Sequence, residues 1–355
     1  MAKILKRGAL TIVGVLLLVI VALLVMRAVR QNQISRAIAI PSPPGIDSLE
    51  QVQLGGVTQW IHIRGHNRAN PLLLMLHGGP GIPEMPFAYV NAELERHLTI
   101  VEWDQRGAGK SFSPGIPPES MTIGQIVRDA RELIALLRTR FAQERIFIMG
   151  HSTGTVIGAI IAQQHPDVVR ALIGISQVAD MRESERLLYD FAMDSASKEN
   201  NGEALRELRE VGPPPFESAK HLQTSQKWVN EFAPDRFGAI ARERLELLFF
   251  SPACSLRDLW RMVRGAKFSF DHLWRELFST NLFQLVPRME VPVYFLEGRN
   301  DHVVTAAVAE RYFDALEAPR GKRFIWFEHS AHWPQLDEPE KFRRVMVEQV
   351  LAENQ

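Results

Sequence analysis

Residues 147–155 read Phe-Ile-Met-Gly-His-Ser-Thr-Gly-Thr, and this stretch decides the fold. The apolar residues 146–149 predict a short buried strand, and residues 156–163 carry the apolar pattern of a helix. Between them, Ser152 stands two residues from a glycine on either side, which permits a turn too tight for larger side chains. A strand, Gly-x-Ser-x-Gly and a helix in this order are typical of a nucleophile elbow, a strained turn that presents a serine hydroxyl.

Strand and helix patterns alternate along most of the chain. Two alternating segments around Gly55-Gly56, residues 50–54 and 58–64, predict a β-hairpin. The further predicted strands are residues 71–76, 98–103, 146–149, 171–175, 291–296 and 323–327, and the predicted helices are residues 123–141, 156–163, 306–316 and 338–352. Unbroken apolar strands that alternate with helices indicate an α/β fold, in which a mostly parallel sheet is covered on both faces.

Composition excludes several classes of protein. The 355 residues suffice for one large domain with an insertion or for two domains. A formal net charge of zero gives no indication of nucleic-acid binding. The single cysteine, Cys254, excludes an internal disulfide and a Cys-rich zinc site. No His, Cys or acidic cluster has metal-ligand spacing, so we expect neither a metal nor a cofactor.

The N-terminus carries an apolar run, residues 9–26, without a charge. At about 1.5 Å per residue this run reaches roughly 27 Å, close to the hydrocarbon thickness of a bilayer. The basic residues around it are Lys3, Lys6, Arg7, Arg27, Arg30 and Arg36. A cleaved signal peptide is the alternative, but the run is long for one and Arg27 stands where small cleavage residues are expected. We therefore predict a single-pass membrane anchor, with the rest of the chain on the extracytoplasmic side.

These patterns divide the chain into four parts. Residues 1–30 form the predicted anchor, and the Pro-rich residues 31–48 form a predicted linker. Residues 49–180 and 289–355 carry the strand and helix alternation and form the predicted core. Residues 181–288 are amphipathic, helical and rich in charge, and form a predicted helical insertion above the core.

A serine nucleophile needs a base, and the base needs a group that orients it. In folds with a nucleophile elbow, the acid and the histidine follow the serine, each just beyond a late strand. Asp301 follows the predicted strand 291–296, and His332 follows the predicted strand 323–327. His329 is the alternative base in the same loop, whereas His151, next to the nucleophile in a tight turn, is expected to point away from it.

Two further loops carry candidate functional residues. Residues 77–81, His-Gly-Gly-Pro-Gly, have the composition of an oxyanion loop, and we predict the backbone amides of Gly79 and Thr153 as donors. Residues 104–111 end in Gly-Lys-Ser, but the first glycine of a phosphate-binding loop is replaced by Asp104. We therefore predict that Arg106 makes a structural ion pair.

Together these motifs resemble the α/β-hydrolase superfamily and, within it, the proline iminopeptidase family. The matching segments are residues 77–81, 104–111, 150–154, 298–301 and 330–332. The resemblance implies an α/β-hydrolase fold with a helical cap between the sixth and seventh core strands. It implies Ser152, Asp301 and His332 as the catalytic triad, and cleavage of an N-terminal residue, often proline, from short peptides.

The chain departs from the family at the elbow, where it has His151 and Thr153, and before the aspartate, where Asn300 replaces a tyrosine. An esterase or amidase acting on small molecules therefore remains an alternative, and an inactive hydrolase fold used as a binding module is a third. An aminopeptidase must bind a protonated amine, and the resemblance implies that cap carboxylates do so. Glu183 and Glu185 are the first acids of the cap. Two residues apart on a helix they face different sides, so at most one reaches the pocket.

Overall fold

The computed structural model describes residues 2–233 and 237–354, with the side chains of residues 2–5, 7 and 237–243 outside this description. Met1, residues 234–236 and Gln355, which fall in the predicted anchor, cap and core, lie outside the described residues.

A single eight-stranded sheet forms the centre of the molecule, in the order β1-β2-β4-β3-β5-β6-β7-β8. The β1–β2 and β2–β4 pairs are antiparallel and all other pairs are parallel. The strands are β1 (Ile46–Leu54), β2 (Val57–Gly65), β3 (Leu72–Leu76), β4 (Thr99–Asp104), β5 (Ile146–His151), β6 (Val169–Ile175), β7 (Val293–Gly298) and β8 (Lys322–Phe327). The predicted hairpin and the mostly parallel sheet are confirmed.

Helices cover both faces of this sheet and form the cap. The helices are α1 (Ala2–Ala37), α2 (Ile123–Phe141), α3 (Thr153–Gln164), α4 (Met181–Lys198), α5 (Gly202–Val211), α6 (Ala219–Phe232), α7 (Phe237–Phe250), α8 (Leu256–Phe278), α9 (Leu282–Leu285), α10 (Ala306–Ala315), α11 (Pro334–Asp337) and α12 (Pro339–Val345). A π-helical turn, Met346–Leu351, extends α12, and a 3-10 segment, Met85–Arg96, lies between β3 and β4.

Alternation along the strands creates one hydrophobic core on each face. In β5, Ile146 and Ile148 belong to the core that packs against α2 and α3. Phe147 and Met149 belong to the opposite core, which packs against α12. Because all four side chains are at most 1% exposed, β5 is buried on both faces, as its unbroken apolar sequence predicts. The elbow that follows β5 is therefore held by a strand that is buried along its whole length.

The cap follows β6 and precedes β7, as expected. Helices α4, α5 and α6 have a small core of their own, which includes Leu188, Leu208 and Trp228. Helix α8 instead packs on the core domain, where its Lys110–Asp258 ion pair measures 2.6 Å. A Cβ on Gly265 of α8 would come within 2.6 Å of the Gly107 carbonyl oxygen, so the two backbones are in close contact. This helix is the roof of the loops that follow β3 and β4.

The N-terminal helix differs from its predicted bounds. The sequence predicts a linker from residue 31, but α1 is continuous to Ala37, and the Gln31 side chain donates to the Ser251 carbonyl at 2.5 Å. The polar end of α1 is thus a helical extension that is bound to the cap. By length and composition, residues 8–37 could cross a membrane, and the apolar side chains from Leu10 to Met26 are exposed.

Candidate active site

Ser152 stands at the sharp turn between β5 and α3. Its φ of 52° and ψ of −124° lie in a region that side chains rarely adopt, so the backbone is strained at this residue. The turn is tight, because a Cβ on Gly150 would lie 2.6 Å from the Gly154 carbonyl oxygen, and one on Gly154 would lie 2.0 Å from that of Leu76. The two glycines are therefore required by contact as well as by conformation. The structure has the elbow geometry that the sequence predicts.

Asp301 and His332 meet beyond the ends of β7 and β8. His332 Nδ1 donates to Asp301 Oδ2 at 2.8 Å. Asp301 Oδ1 accepts the backbone amides of Val303 and Val304 at 2.8 and 2.9 Å, so three hydrogen bonds in all fix the carboxylate. With Nδ1 as a donor, the neutral ring carries its acceptor lone pair on Nε2, the nitrogen that a base would use toward a hydroxyl.

Electrostatics favours a neutral imidazole beside an ionised carboxylate. Burial lowers the pKa of His332 below its ordinary value of 6.5, although the charge and hydrogen bond of Asp301 act in the opposite sense. Burial would raise the pKa of Asp301, but the electrostatic attraction of the His332 ring and the three hydrogen bonds outweigh it and leave that pKa below its ordinary value. His332 is therefore unprotonated at neutral pH, the form that accepts a proton.

The residues at the end of β6 contact both the elbow and the loop that carries His332. The Ser152 amide donates to the Ile175 carbonyl at 2.9 Å, and Ser176 Oγ donates to the His332 carbonyl at 3.1 Å. Within residues 2–233 and 237–354 no hydrogen bond joins Ser152 Oγ to His332 Nε2. Such a bond commonly tightens only when substrate binds. His329, the alternative base, is exposed, and its backbone amide donates to Glu338 at 3.0 Å.

His151 and Glu84 form a buried pair that the sequence did not predict. His151 Nδ1 lies 2.6 Å from Glu84 Oε1, and His151 Nε2 donates to the His332 carbonyl at 2.7 Å. Burial opposes a charge on His151, but the Glu84 carboxylate outweighs it, so the pKa of His151 is raised. Conversely, the pKa of Glu84 is lowered, because His151 outweighs the effect of burial. His151 is thus turned away from Ser152, as expected, and holds the backbone of His332.

No sequence signal would have revealed this pair. Glu84 lies 67 residues before His151 in a Pro-containing loop, where a single acid has no distinctive spacing. Gln335 Nε2 also donates to the second oxygen of Glu84, at 3.3 Å. Only the folded chain brings the loop after β3, the elbow and the loop after β8 together.

The predicted oxyanion loop lies directly against the nucleophile. A Cβ on Gly78 would come within 2.8 Å of Ser152 Cβ and 3.5 Å of its Oγ. His77 fixes the loop: its Nδ1 donates to the Gly78 carbonyl at 2.9 Å, and its Nε2 accepts the Gln105 amide at 3.1 Å. Burial lowers the pKa of His77, in accord with this neutral tautomer. Gly79 has a φ of +124°, which a side chain would strain.

Thr153, the second predicted donor, is the first residue of α3. The amides of a first helical turn have no partner within the helix, and the helix dipole places partial positive charge there. The Thr153 amide is therefore available to a ligand at the elbow. The loop containing Gly79 and the first turn of α3 both adjoin Ser152.

The two predicted cap carboxylates have different surroundings. Glu183 is partly exposed and pairs with Arg311 at 2.9 Å. Glu185 is 1% exposed and accepts one hydrogen bond, from Gln226 Nε2 at 3.2 Å, while its Oε2 has no partner in the described part of the chain. Burial raises its pKa to about 7. A buried carboxyl with a vacant oxygen is a potential site for a cationic group.

The remaining candidate residues are structural. Arg106 forms a buried ion pair with Asp129 at 2.8 Å, as predicted, and Asp104 Oδ2 accepts the Lys110 amide at 2.7 Å. Residues 104–111 therefore stabilise the loop after β4. Among the described residues, no group of three or more His, Cys, Asp or Glu side chains is arranged to hold a metal ion.

Comparison with known proteins gives a consistent result. A family model described as alpha/beta hydrolase fold matches residues 71–339. The probable aminopeptidase YbaC of Bacillus subtilis is 33% identical over 312 residues, which cover 86% of this chain and 97% of that protein. A proline iminopeptidase of Thermoplasma volcanium is 23% identical over 311 residues, 84% of this chain and 94% of that protein. A crystal structure of a proline iminopeptidase-related protein from Thermus thermophilus superposes with a TM-score of 0.61 at 20% identity, over 87% of this chain and 98% of that one.

Proposed function

The chain belongs to the α/β-hydrolase fold family, and from this premise we propose that it is a membrane-anchored serine hydrolase that removes N-terminal residues from short peptides. The observation that carries the proposal is the strained elbow at Ser152, and the buried His332–Asp301 hydrogen bond supports it. Relatives named as aminopeptidases support the choice of substrate class.

In the proposed reaction Ser152 Oγ attacks the carbonyl carbon of the scissile amide. Its proton moves to His332 Nε2 as the oxygen–carbon bond forms, and Asp301 stabilises the resulting imidazolium. The C–N bond then breaks, and His332 returns the proton to the leaving amine. A water molecule releases the acyl group by the same steps, with His332 again as base.

Negative charge that develops on the carbonyl oxygen would be stabilised by the amides of Gly79 and Thr153. The support for this role is the contact between the glycine loop and Ser152, and the position of Thr153 at the start of α3. A donor of this kind typically contributes about 3–4 kcal/mol to transition-state stabilisation. Both donors are backbone groups: Thr153 is buried at the start of α3, and the loop before Gly79 is fixed by the hydrogen bonds of His77.

We assign recognition of the substrate amine to Glu185 rather than to Glu183. Glu185 is buried, has a vacant oxygen and, among the described residues, has no basic side chain bound to it, whereas Glu183 is bound to Arg311. A substrate ammonium would supply the missing partner and stabilise the ionised form of Glu185. Free-amine substrates should therefore bind better above pH 7, where Glu185 ionises, until the amine itself loses its proton.

The direct test of the proposed substrate class uses matched pairs of substrates. Aminoacyl arylamides with a free amine, prolyl arylamide among them, should be cleaved at least tenfold better than their N-acetylated forms, the effect of one charge-assisted hydrogen bond. Equal cleavage of both forms, together with turnover of short aryl esters, would instead identify a general esterase or amidase.

The proposed anchor is α1, whose apolar side chains are exposed from Leu10 to Met26. Full-length protein should remain in the membrane pellet after an alkaline carbonate wash, because burial of some eighteen apolar residues makes insertion effectively irreversible. Mature protein that begins after Met26 would contradict the anchor. Protease access in sealed vesicles reports the side of the membrane, which we propose to be extracytoplasmic.

A further inference from the structure

Helix α1 is bound to the cap at the point where its apolar run ends. Arg27 Nε donates to the Phe249 carbonyl at 2.8 Å, and its Nη2 donates to that of Cys254. One turn later Gln31 Nε2 donates to the Ser251 carbonyl at 2.5 Å and to that of Cys254 at 3.2 Å. These contacts hold Arg27, which is buried, against the connection between α7 and α8.

Beyond the cap, the chain continues along the molecule to the opposite edge of the sheet. The Ile38 carbonyl accepts a hydrogen bond from Arg64 at 2.6 Å. Arg64 is in register with Ile100, near the start of β4, whereas the cap lies at the carboxyl ends of the parallel strands. From Arg27 to Ile38 a helix advances about 16 Å, close to the length of a strand here. A bilayer around residues 9–26 therefore lies on the cap side of the molecule.

The cap exposes an apolar surface beside this point. Leu256, Trp260 and Val263 of α8 are 49%, 53% and 73% exposed. Spaced by four and three residues, they share one side of the helix, which we call the apolar face of α8. The opposite side, with Asp258, Gly265 and Ser269, is buried against the core. Leu256 follows Cys254 by two residues, so the apolar face begins next to the Arg27 contact.

The charges that surround this face are basic. Arg257, Arg264 and Lys267 are exposed, and Arg264 lies over the Trp260 ring with 5.0 Å between its guanidinium carbon and the ring centroid. Lys267 is partly neutralised by Asp271 at 2.8 Å, while Asp258, on the opposite side of α8, is buried and paired with Lys110. Exposed tryptophan, aliphatic and basic side chains on one helix are typical of a surface that contacts the interface of an anionic bilayer.

We propose that the apolar face of α8 lies on the surface of the same bilayer that α1 crosses, so that the cap is seated on the membrane. The inference rests on the proposed anchoring by α1 and adds a second, peripheral contact. The occupant is a lipid surface because the face adjoins the end of the membrane-spanning run and is ringed by basic side chains. Helix α8 then lies between the bilayer and the loops that contain Gly81 and Gly107, so the membrane helps to hold α8 in place over the active site.

The test uses the full-length protein in vesicles and a single fluorescent label. Val263→Cys places the label on the apolar face, and Arg320→Cys places a control at the edge of the sheet where β8 begins, away from the proposed membrane. Val15→Cys reports insertion of α1. The native Cys254 is buried, and burial raises its pKa to about 11, so that its thiol reacts slowly with the label. The vesicles contain phosphatidylcholine with or without phosphatidylglycerol, and brominated acyl chains serve as quencher.

We expect brominated lipid to reduce the fluorescence at positions 15 and 263 at least twofold and to leave position 320 unchanged, with stronger quenching at 263 in anionic vesicles. Quenching at 15 without quenching at 263 would overturn the seated cap and leave the anchor intact. Absence of quenching at both positions would contradict the anchor. Energy transfer between labels at 263 without quenching would show that a second copy of the chain covers this face, which also overturns the inference.

Discussion

Replacement of Glu185 by Gln should have opposite effects on stability and on substrate binding. Burial raises the pKa of this carboxyl from 4.5 to about 7, so its ionised form destabilises the folded state. Each pKa unit corresponds to about 1.4 kcal/mol, which gives about 3 kcal/mol once the group is fully ionised. Glutamine is neutral and can still accept the hydrogen bond from Gln226. Glu185→Gln should therefore stabilise the protein by up to about 3 kcal/mol.

The dependence on pH has a definite sign. Below pH 4.5 the carboxyl is protonated in both the folded and the unfolded state, so the substitution does not stabilise the protein there. The stability difference between the variant and the native protein increases between pH 4.5 and about 7 and reaches its full value above that pH. Thermal unfolding at pH 5 and at pH 8 measures it, with an expected rise in Tm of roughly 5 °C at the higher pH.

The same substitution should weaken binding of the substrate amine. We expect KM for a free-amine arylamide to rise by about tenfold or more, and that for an aryl ester without an amine to remain unchanged. Glu183→Gln is the matched control: its carboxylate is partly exposed and bound to Arg311, so stability and KM should change little. Our account of Glu185 is refuted if the two variants have the same stability at pH 8 and the same KM.

His332→Ala should abolish turnover, with a loss of several orders of magnitude, whereas His329→Ala should retain nearly full kcat, because His329 is exposed and the Asp301 carboxylate binds His332. Equal losses in the two variants would make the choice of base wrong. Glu84→Gln removes the charge that His151 uses to hold the His332 backbone, and kcat should fall roughly tenfold at unchanged KM. That variant should also lose about 2 kcal/mol of stability. The loss of stability should be largest between pH 4.5 and 6.5. Glu84, whose pKa is lowered in the folded state, contributes its full stability above pH 4.5. His151, whose pKa is raised in the folded state, contributes its full stability below pH 6.5. A stability difference that increases at alkaline pH would contradict the charged pair.

The elbow and the sheet could be predicted because their determinants are local. Gly150 and Gly154 are required by contacts within a few residues of Ser152 and with the end of the adjacent strand β3. The unbroken apolar composition of residues 146–149 is enough to predict a strand that is buried on both faces. The loops after β7 and β8 could be related to the elbow because parallel strands end at one edge of a sheet.

The features that the sequence did not predict depend on contacts between distant segments. Glu84 and His151 are far apart in the chain, and no sequence pattern around either residue indicates that the two form a pair. The sequence does not distinguish Glu183 from Glu185, because both are acids of the same helix. The packing of α4 against α6 buries Glu185. Residues 31–37 have the polar composition of a linker, but their helix is stabilised by hydrogen bonds to the cap, more than 200 residues away.

The central claim is that Ser152 is the nucleophile of a serine hydrolase. Its most direct test is to treat the full-length protein with a fluorophosphonate, identify the modified peptide by mass spectrometry and measure the remaining hydrolysis. We predict one adduct, on Ser152, loss of activity in proportion to labelling, and neither labelling nor turnover in Ser152→Ala. An active enzyme that stays unlabelled, or that carries its adduct on another residue, would contradict the claim.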